Sequence, residues 1–128
     1  MRTKNILLVL SLFFVIISLS NCAKKKENLL IGSWDNVPLT EEDTAHTEIW
    51  KFDAGGNFVY SKDSSEYTGS YTFISKTFNS FADITGVDKA MGKSYYLDGL
   101  YKIEKIDKDV LVLQCEEPYR HKEFTRKD

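Results

Sequence analysis

The stretch Ile49-Trp50-Lys51-Phe52-Asp53-Ala54-Gly55-Gly56-Asn57-Phe58-Val59-Tyr60 decides the fold. Trp50 and Phe52 fall on one face of an extended chain, with Ile49 and Lys51 on the other. After the turn, Phe58 and Tyr60 again share a face. A period of two with one apolar face is the pattern of half-buried antiparallel strands. Ala54-Gly55-Gly56 supplies a hairpin turn in which glycine takes positive φ without steric cost.

The same alternation extends outward in both directions. Strand patterns cover Gly32 to Val37, Thr47 to Asp53, Asn57 to Ser61, Tyr67 to Ile74, Phe78 to Ile84, Ser94 to Ile106, Val110 to Cys115 and His121 to Lys127. Each is rich in aromatic or β-branched residues, and turn residues separate them. Gly69, Tyr71 and Phe73 continue the inward stripe, followed by Tyr101 with Ile103, Leu111 with Leu113 and Cys115, and Phe124. Asp98-Gly99 fits either a hairpin or a bulge. Tyr95, Leu97, Tyr101 and Ile103 keep one parity across it, which selects the bulge. The count is then eight strands, enough to close a small up-and-down antiparallel barrel and remove its edges.

Leu30-Ile31-Gly32-Ser33-Trp34 resembles the Gly-x-Trp opening of the first strand in lipocalins and their calycin relatives. Phe52 to Phe58 is similar to the F-x-x-x-G-x-F hairpin of bacterial lipocalin-like lipoprotein domains. Tyr67-Thr68-Gly69-Ser70-Tyr71, Tyr101 to Leu113 and Phe124-Thr125-Arg126 continue the likeness over nearly the whole chain. The resemblance implies an all-β lipocalin-like barrel and envelope residence; for most members it implies no known activity. It also implies barrel closure by Gly32, Trp34 and Arg126, with the arginine of the last strand packed across the first tryptophan. Loss of Trp34 is then expected to cost far more stability than loss of Arg126.

Ahead of the barrel pattern lies a different kind of sequence. Arg2 and Lys4 precede an apolar run from Ile6 to Leu19, interrupted by Ser11 and Ser18. Leu19-Ser20-Asn21-Cys22 resembles the lipobox of bacterial lipoproteins, although Asn21 stands where Gly, Ala or Ser is usual. The expected division is a signal peptide over 1–21, a lipidated tether over 22–27 and a barrel domain over 28–128. Cys22 is the expected lipidation site. An uncleaved spanning helix is the alternative, but Lys24, Lys25 and Lys26 outweigh the positive head, the wrong bias for such an anchor. The expected location is the bacterial envelope, at the outer membrane or the periplasmic face.

The chain has 128 residues, 17 Lys+Arg and 19 Asp+Glu; without residues 1–21, Arg2 and Lys4 are lost and the net charge becomes −4. That leaves 107 residues, enough for one domain. An acidic domain with no basic stripe is a poor partner for phosphate backbones, so nucleic acid is not an expected ligand. If Cys22 carries lipid, Cys115 has no thiol to pair with, and the fold rests on an apolar core. Fifteen aromatic residues from Trp34 to Phe124 can supply one.

In an up-and-down barrel alternate loops share an end. Loops near 38–46, 62–66, 85–93 and 116–120 read as long and polar, whereas those near 54–56, 75–77 and 107–109 read as tight. Binding is therefore expected at the long-loop end, away from the anchor. Glu41, Glu42, Asp43, Glu116 and Glu117, with Asp63, Glu66 and Asp88, form an expected acidic rim suited to a cationic protein, such as a basic hydrolase. The expected ligand is a small apolar molecule facing Trp50, Phe52, Phe58, Tyr60, Tyr71 and Tyr101; the cationic protein at the rim is the alternative, beside a rim of hydrated loops kept soluble by charge. Whether those rings leave a cavity or fill it separates the two. No cofactor, metal site or catalytic constellation is expected: His46 and His121 lie far apart, and Cys115 has the parity of a core residue. The domain is expected to be a monomer that acts by binding and not by catalysis.

Overall fold

The computed structural model describes residues 22–41 and 43–127. Its strands are β1 (Gly32–Asn36), β2 (Glu48–Phe52), β3 (Asn57–Lys62), β4 (Ser65–Ser75), β5 (Ser80–Thr85), β6 (Gly99–Ile106), β7 (Val110–Glu116) and β8 (Tyr119–Arg126). Each pairs antiparallel with the next, and β8 returns to β1, so the sheet closes into the eight-stranded barrel. The seam carries Trp34 opposite Arg126 and Asn36 opposite Phe124. A helix, α1, occupies residues 22–30 before the barrel, and a short helix, α2 (Val87–Met91), follows β5. Among the described residues no helix is long and apolar enough to cross a membrane. Residues 1–21 lie outside the described residues.

Alternation turns one face of every strand inward. Trp34, Trp50, Phe52, Phe58, Tyr60, Tyr101, Leu111, Leu113 and Phe124 are buried. Phe58 at 5.5 Å and Tyr101 at 5.4 Å pack edge to face against Trp50, and Phe124 lies tilted at 5.0 Å. Phe52 adds contacts to Phe58 at 5.1 Å and to Tyr71 at 5.0 Å. Such pairs gain about 0.5–1.5 kcal/mol each beyond area burial. The inward aromatic stripe therefore fills the middle of the barrel.

Elements outside the sheet cover both ends, the second only in part. Helix α1 seats Leu30, fully buried, at the tight end, and the Trp34 indole donates to the Leu30 carbonyl at 2.9 Å. Arg126 lies across Trp34, its guanidinium carbon 4.0 Å from the ring centroid. Its Nη2 donates to the Leu29 carbonyl at 2.6 Å, Nη1 to Ile31 at 2.9 Å and Nε to Lys108 at 2.9 Å. The arginine thereby satisfies carbonyls that the helix end leaves open. Gly32, at φ 135°, permits this approach, because a Cβ there would stand 2.5 Å from Arg126 Nη1. At the other end α2 inserts Val87 against Gly69 of β4. A Cβ on Gly69 would meet Thr85 O at 2.5 Å and Val87 Cγ2 at 2.6 Å. The space that a side chain would take on this inward position is filled by the helix.

Several segments depart from the sequence pattern. The strand expected from Ser94 begins only at Gly99, and Asp98-Gly99 is not a bulge. Residues 94–98 form an irregular loop with Tyr95 at φ 54°. Tyr95 is 84% exposed, whereas Leu97 turns inward. The bulge of β6 lies between Ile103 and Lys105 and restores Ile106 to the core side. Two of the four loops expected to be long are two-residue turns, Asp63-Ser64 and Glu117-Pro118. Phe78 lies in the turn before β5 and not in the strand. Residues 22–27, expected as a tether, are helical, with Cys22 and Lys24 to Glu27 exposed.

Candidate functional site: the open end of the barrel

Strand geometry decides which polar residues reach the barrel mouth. On β2 Glu48 shares the inward parity of Trp50 and Phe52, and on β8 Arg120 and Lys122 share that of Phe124 and Arg126. Charges therefore enter the barrel where its aromatic filling stops. Lys122 Nζ stands 3.2 Å from Glu48 Oε2, and the Trp50 indole donates to Glu48 Oε1 at 3.3 Å. Glu48 is 14% exposed, so this ion pair is more shielded than the exposed pairs on the barrel's outside. Its Coulomb gain is set against desolvation, and removing one partner strands the other charge.

Arg120 organises the loop that roofs the mouth. Its guanidinium donates to the carbonyls of Tyr95 at 2.7 Å, Leu97 at 3.1 Å and Asp98 at 3.1 Å, and to the Tyr101 hydroxyl at 3.1 Å. The Tyr101 hydroxyl donates in turn to the Leu97 carbonyl. Burial pushes the Tyr101 hydroxyl well above the usual tyrosine range, against the opposing charge of Arg120.

Two aspartates tie α2 to the same loop. Asp88 accepts from the N–H groups of Tyr96 at 3.2 Å, Leu97 at 2.7 Å and Asp98 at 3.2 Å. Asp98 accepts from Gly86 at 2.9 Å, Val87 at 2.9 Å and Asp88 at 3.2 Å. Each carboxylate thus serves the backbone around the other. Asp88, expected on an acidic rim, is buried and structural.

Between this loop and β8 lies an open cup of about 360 Å³, lined by Glu48, Trp50, Tyr101, Arg120, His121 and Lys122 from the strands and by Tyr96 and Leu97 from the loop. A smaller, more enclosed pocket of about 160 Å³ adjoins it beside His46 and Lys62. Tyr60 lies under this region, edge-on to Tyr96 at 6.4 Å. Its buried hydroxyl makes no well-formed hydrogen bond among the described residues, although the Tyr96 hydroxyl and the Glu48 carboxylate lie within its reach. Burial, with the nearby Tyr96 hydroxyl and Glu48 carboxylate, raises its pKa far above the ordinary value. Tyr96 shifts the other way, lowered first by Tyr60 and then by Lys62 and Lys93. Lys93 Nζ sits 4.1 Å from the Tyr96 ring centroid.

The residues expected to face a ligand sit as follows. Trp50 and Tyr101 reach the cup, whereas Phe52, Phe58 and Tyr71 are packed into the filled interior. Tyr71 is also tied to the tight end, donating to the Asp53 carbonyl at 2.6 Å. Of the expected acidic rim, Glu41 is exposed on the β1–β2 loop, and Glu116 and Glu117 are exposed side by side at the β7–β8 turn, all at the mouth end. Asp43 begins a 3-10 turn (Asp43–Ala45), and Glu42 lies outside the described residues. Exposed apolar side chains stand at the same end: Leu39, Tyr95 and Tyr119. The cup itself is not acidic, because Arg120, Lys122 and Lys62 line it beside Glu48.

His46 is exposed and bonds to Asp63 at 2.9 Å; His121 is half-buried, 3.3 Å from Glu123. Cys115 is buried in the core. Among the described residues no group of three or more His, Cys, Asp or Glu converges as a metal site.

The cup-lining residues Glu48, Arg120 and Lys122 escape a reading based on apolar stripes. Their signal is parity: Arg120, Lys122, Phe124 and Arg126 alternate without a break, which puts charges on the inward face. Gly86 and Gly92, both at positive φ, bracket α2 and are the local cue for its ends. No family model, curated protein or solved structure matches the chain.

Proposed function

We propose that the chain is a bacterial envelope lipoprotein, anchored at Cys22, that acts by binding a cationic protein with the open end of its barrel. The observation that carries this reading is the contrast between the barrel's inside and its mouth. Aromatic rings pack the interior, while Tyr95, Tyr119 and Leu39 stand 84%, 67% and 59% exposed at the far end. Tyrosines on a rigid surface are strong anchors in protein interfaces, since they bury large area for little lost side-chain freedom. Exposed Glu41, Glu116 and Glu117 add a field that favours a basic partner and speeds its approach. The lipocalin resemblance and the lipobox-like Leu19 to Cys22 support the anchor and the envelope setting.

A second reading is a small ligand in the 360 Å³ cup. It is favoured by the Trp50 and Tyr101 side chains that line the cup. This site differs from a deep apolar cavity: any such ligand sits at the mouth and carries polar groups.

Calorimetric titration against a basic lysozyme tests the first reading. Binding is expected, weakened by the combined Glu41→Gln, Glu116→Gln and Glu117→Gln changes and by added salt. Binding that is absent, or indifferent to both, rules it out.

A further inference from the structure

Phe78 is 89% exposed, more than any other large apolar residue described. It sits in the turn between β4 and β5 at the tight end, where nothing in the barrel needs it. A single exposed phenylalanine is ordinary by itself. Its surroundings are not. A groove of about 220 Å³ beside it is lined by Cys22, Ala23, Lys26 and Lys76. A neighbouring groove of about 480 Å³ runs from Cys22 past Lys25, Leu29 and Ile106 to Lys108. Lys24, Lys25, Lys26, Lys76 and Lys108 are all exposed.

Among the described residues the carboxylates at this end are Glu27, Asp53, Asp107 and Asp109. Asp107 is committed to its own turn, accepting from the Asp109 and Val110 N–H groups at 2.8 and 2.7 Å. Asp53 lies 3.8 Å from Lys51. The lysines, with Lys127, outnumber these carboxylates, whereas the mouth end carries the exposed Glu41, Glu66, Glu116 and Glu117. The tight end is therefore net basic, whereas at the mouth Lys62, Lys89, Lys93, Arg120 and Lys122 offset the glutamates. The apolar run Ile6 to Leu19 joins the chain at Cys22, on the basic end.

We infer that the tight end of the barrel is itself a membrane-docking face: Phe78 enters the interfacial layer of an anionic phospholipid bilayer, and the surrounding lysines meet its head groups. This rests on the reading of Cys22 as a lipid anchor and adds an orientation to it. An acyl chain alone fixes one point and leaves the domain free to swing. An aromatic wedge and a basic rim around that point hold the barrel axis upright, with the mouth outward. Lysine stems can lie along the apolar groove walls while their ammonium groups stay at head-group level. Each lysine close to an anionic surface changes partitioning roughly fivefold.

The test uses Phe78→Trp in the full chain, exported in bacteria, purified from membranes and reconstituted into phosphatidylglycerol–phosphatidylcholine vesicles with brominated acyl chains. Trp34 and Trp50 are 0% and 1% exposed, so the parent chain supplies the unquenched baseline. A blue-shifted emission from the introduced indole, quenched by bromine, is the expected result. Lys76→Gln with Lys108→Gln should lower the docked-to-free ratio roughly fivefold per lysine, read as recovered emission. Palmitate labelling of the same samples separates the two claims. Labelled protein whose introduced indole is unquenched overturns the docking face and leaves the anchor standing. Unlabelled protein whose introduced indole is quenched supports the docking face and overturns the anchor. Neither signal overturns both.

Discussion

Arg126→Ala should destabilise the barrel by about 2–4 kcal/mol, comparable with the loss of Trp34. The sequence alone leads one to expect a much smaller role for the arginine, because it suggests only a guanidinium over an indole, worth ~0.5–2 kcal/mol. The structure adds donors to Leu29, Ile31 and Lys108. Hydrogen bonds from a charged group contribute about 1.5–3 kcal/mol each when desolvated. The bonds to Leu29 and Ile31 are partly buried, while that to Lys108 is exposed and counts for little. Water replaces part of what is lost, which brings the sum down to the stated range. Trp34→Ala removes a fully buried ring and should cost ~3–5 kcal/mol. The two losses overlap, because both release the end of α1, so the double variant should fall short of the sum. Arg126→Lys keeps the charge but not the fork of donors, and should recover less than half of the deficit. Urea unfolding gives the energies, and amide exchange over residues 22–30 shows whether α1 detaches first. An Arg126→Ala stability within about 0.5 kcal/mol of the parent would refute the capping argument.

Gly69→Ala should cost ~1–3 kcal/mol by overpacking against Thr85 and Val87, with α2 losing exchange protection before the strands do. Asp88→Ala orphans the N–H groups of Tyr96, Leu97 and Asp98. The loop over residues 86–98 should then exchange rapidly by NMR while the barrel signals persist. Acid should loosen the β3–β4 turn. The His46 side chain, and then the Thr47 N–H, hold the Asp63 carboxyl below its usual range. A depressed folded pKa means that the stabilisation is complete above the unfolded value near ~4 and fades as pH falls through the folded one. His46→Ala should move the Asp63 titration upward, and an unchanged NMR titration would remove the pairing argument.

The barrel is legible because its signal is local and repeated. Trp50 and Phe52, then Phe58 and Tyr60, fix register in one hairpin, and a one-residue slip would turn every ring to water. Residues 94–98 mislead for the same reason. Leu97 keeps the inward parity of Tyr101 by way of a loop, and parity alone cannot separate that loop from a strand. What sets the loop is long-range: Arg120, twenty-odd positions later, and Asp88 from α2 hold its backbone. Helix α1 is hidden because Lys24 to Asn28 carries no apolar periodicity; its docking depends on Leu30 and on Arg126 from the far end of the chain. The acidic rim can be read residue by residue, but not the cup between its loops. That cup is lined by Lys122 and Arg120, whose inward placement is set by the pairing of β8 with β7.

The proposed orientation, with the packed barrel standing on its basic end and the mouth free, depends on lipidation of Cys22. Intact-mass spectrometry of the chain recovered from bacterial membranes tests this most directly. The account predicts a chain that begins at Cys22 and carries the added mass of acyl groups on that residue, both lost in Cys22→Ala. A chain that retains residues 1–21, or begins at Cys22 with a free thiol, would contradict it.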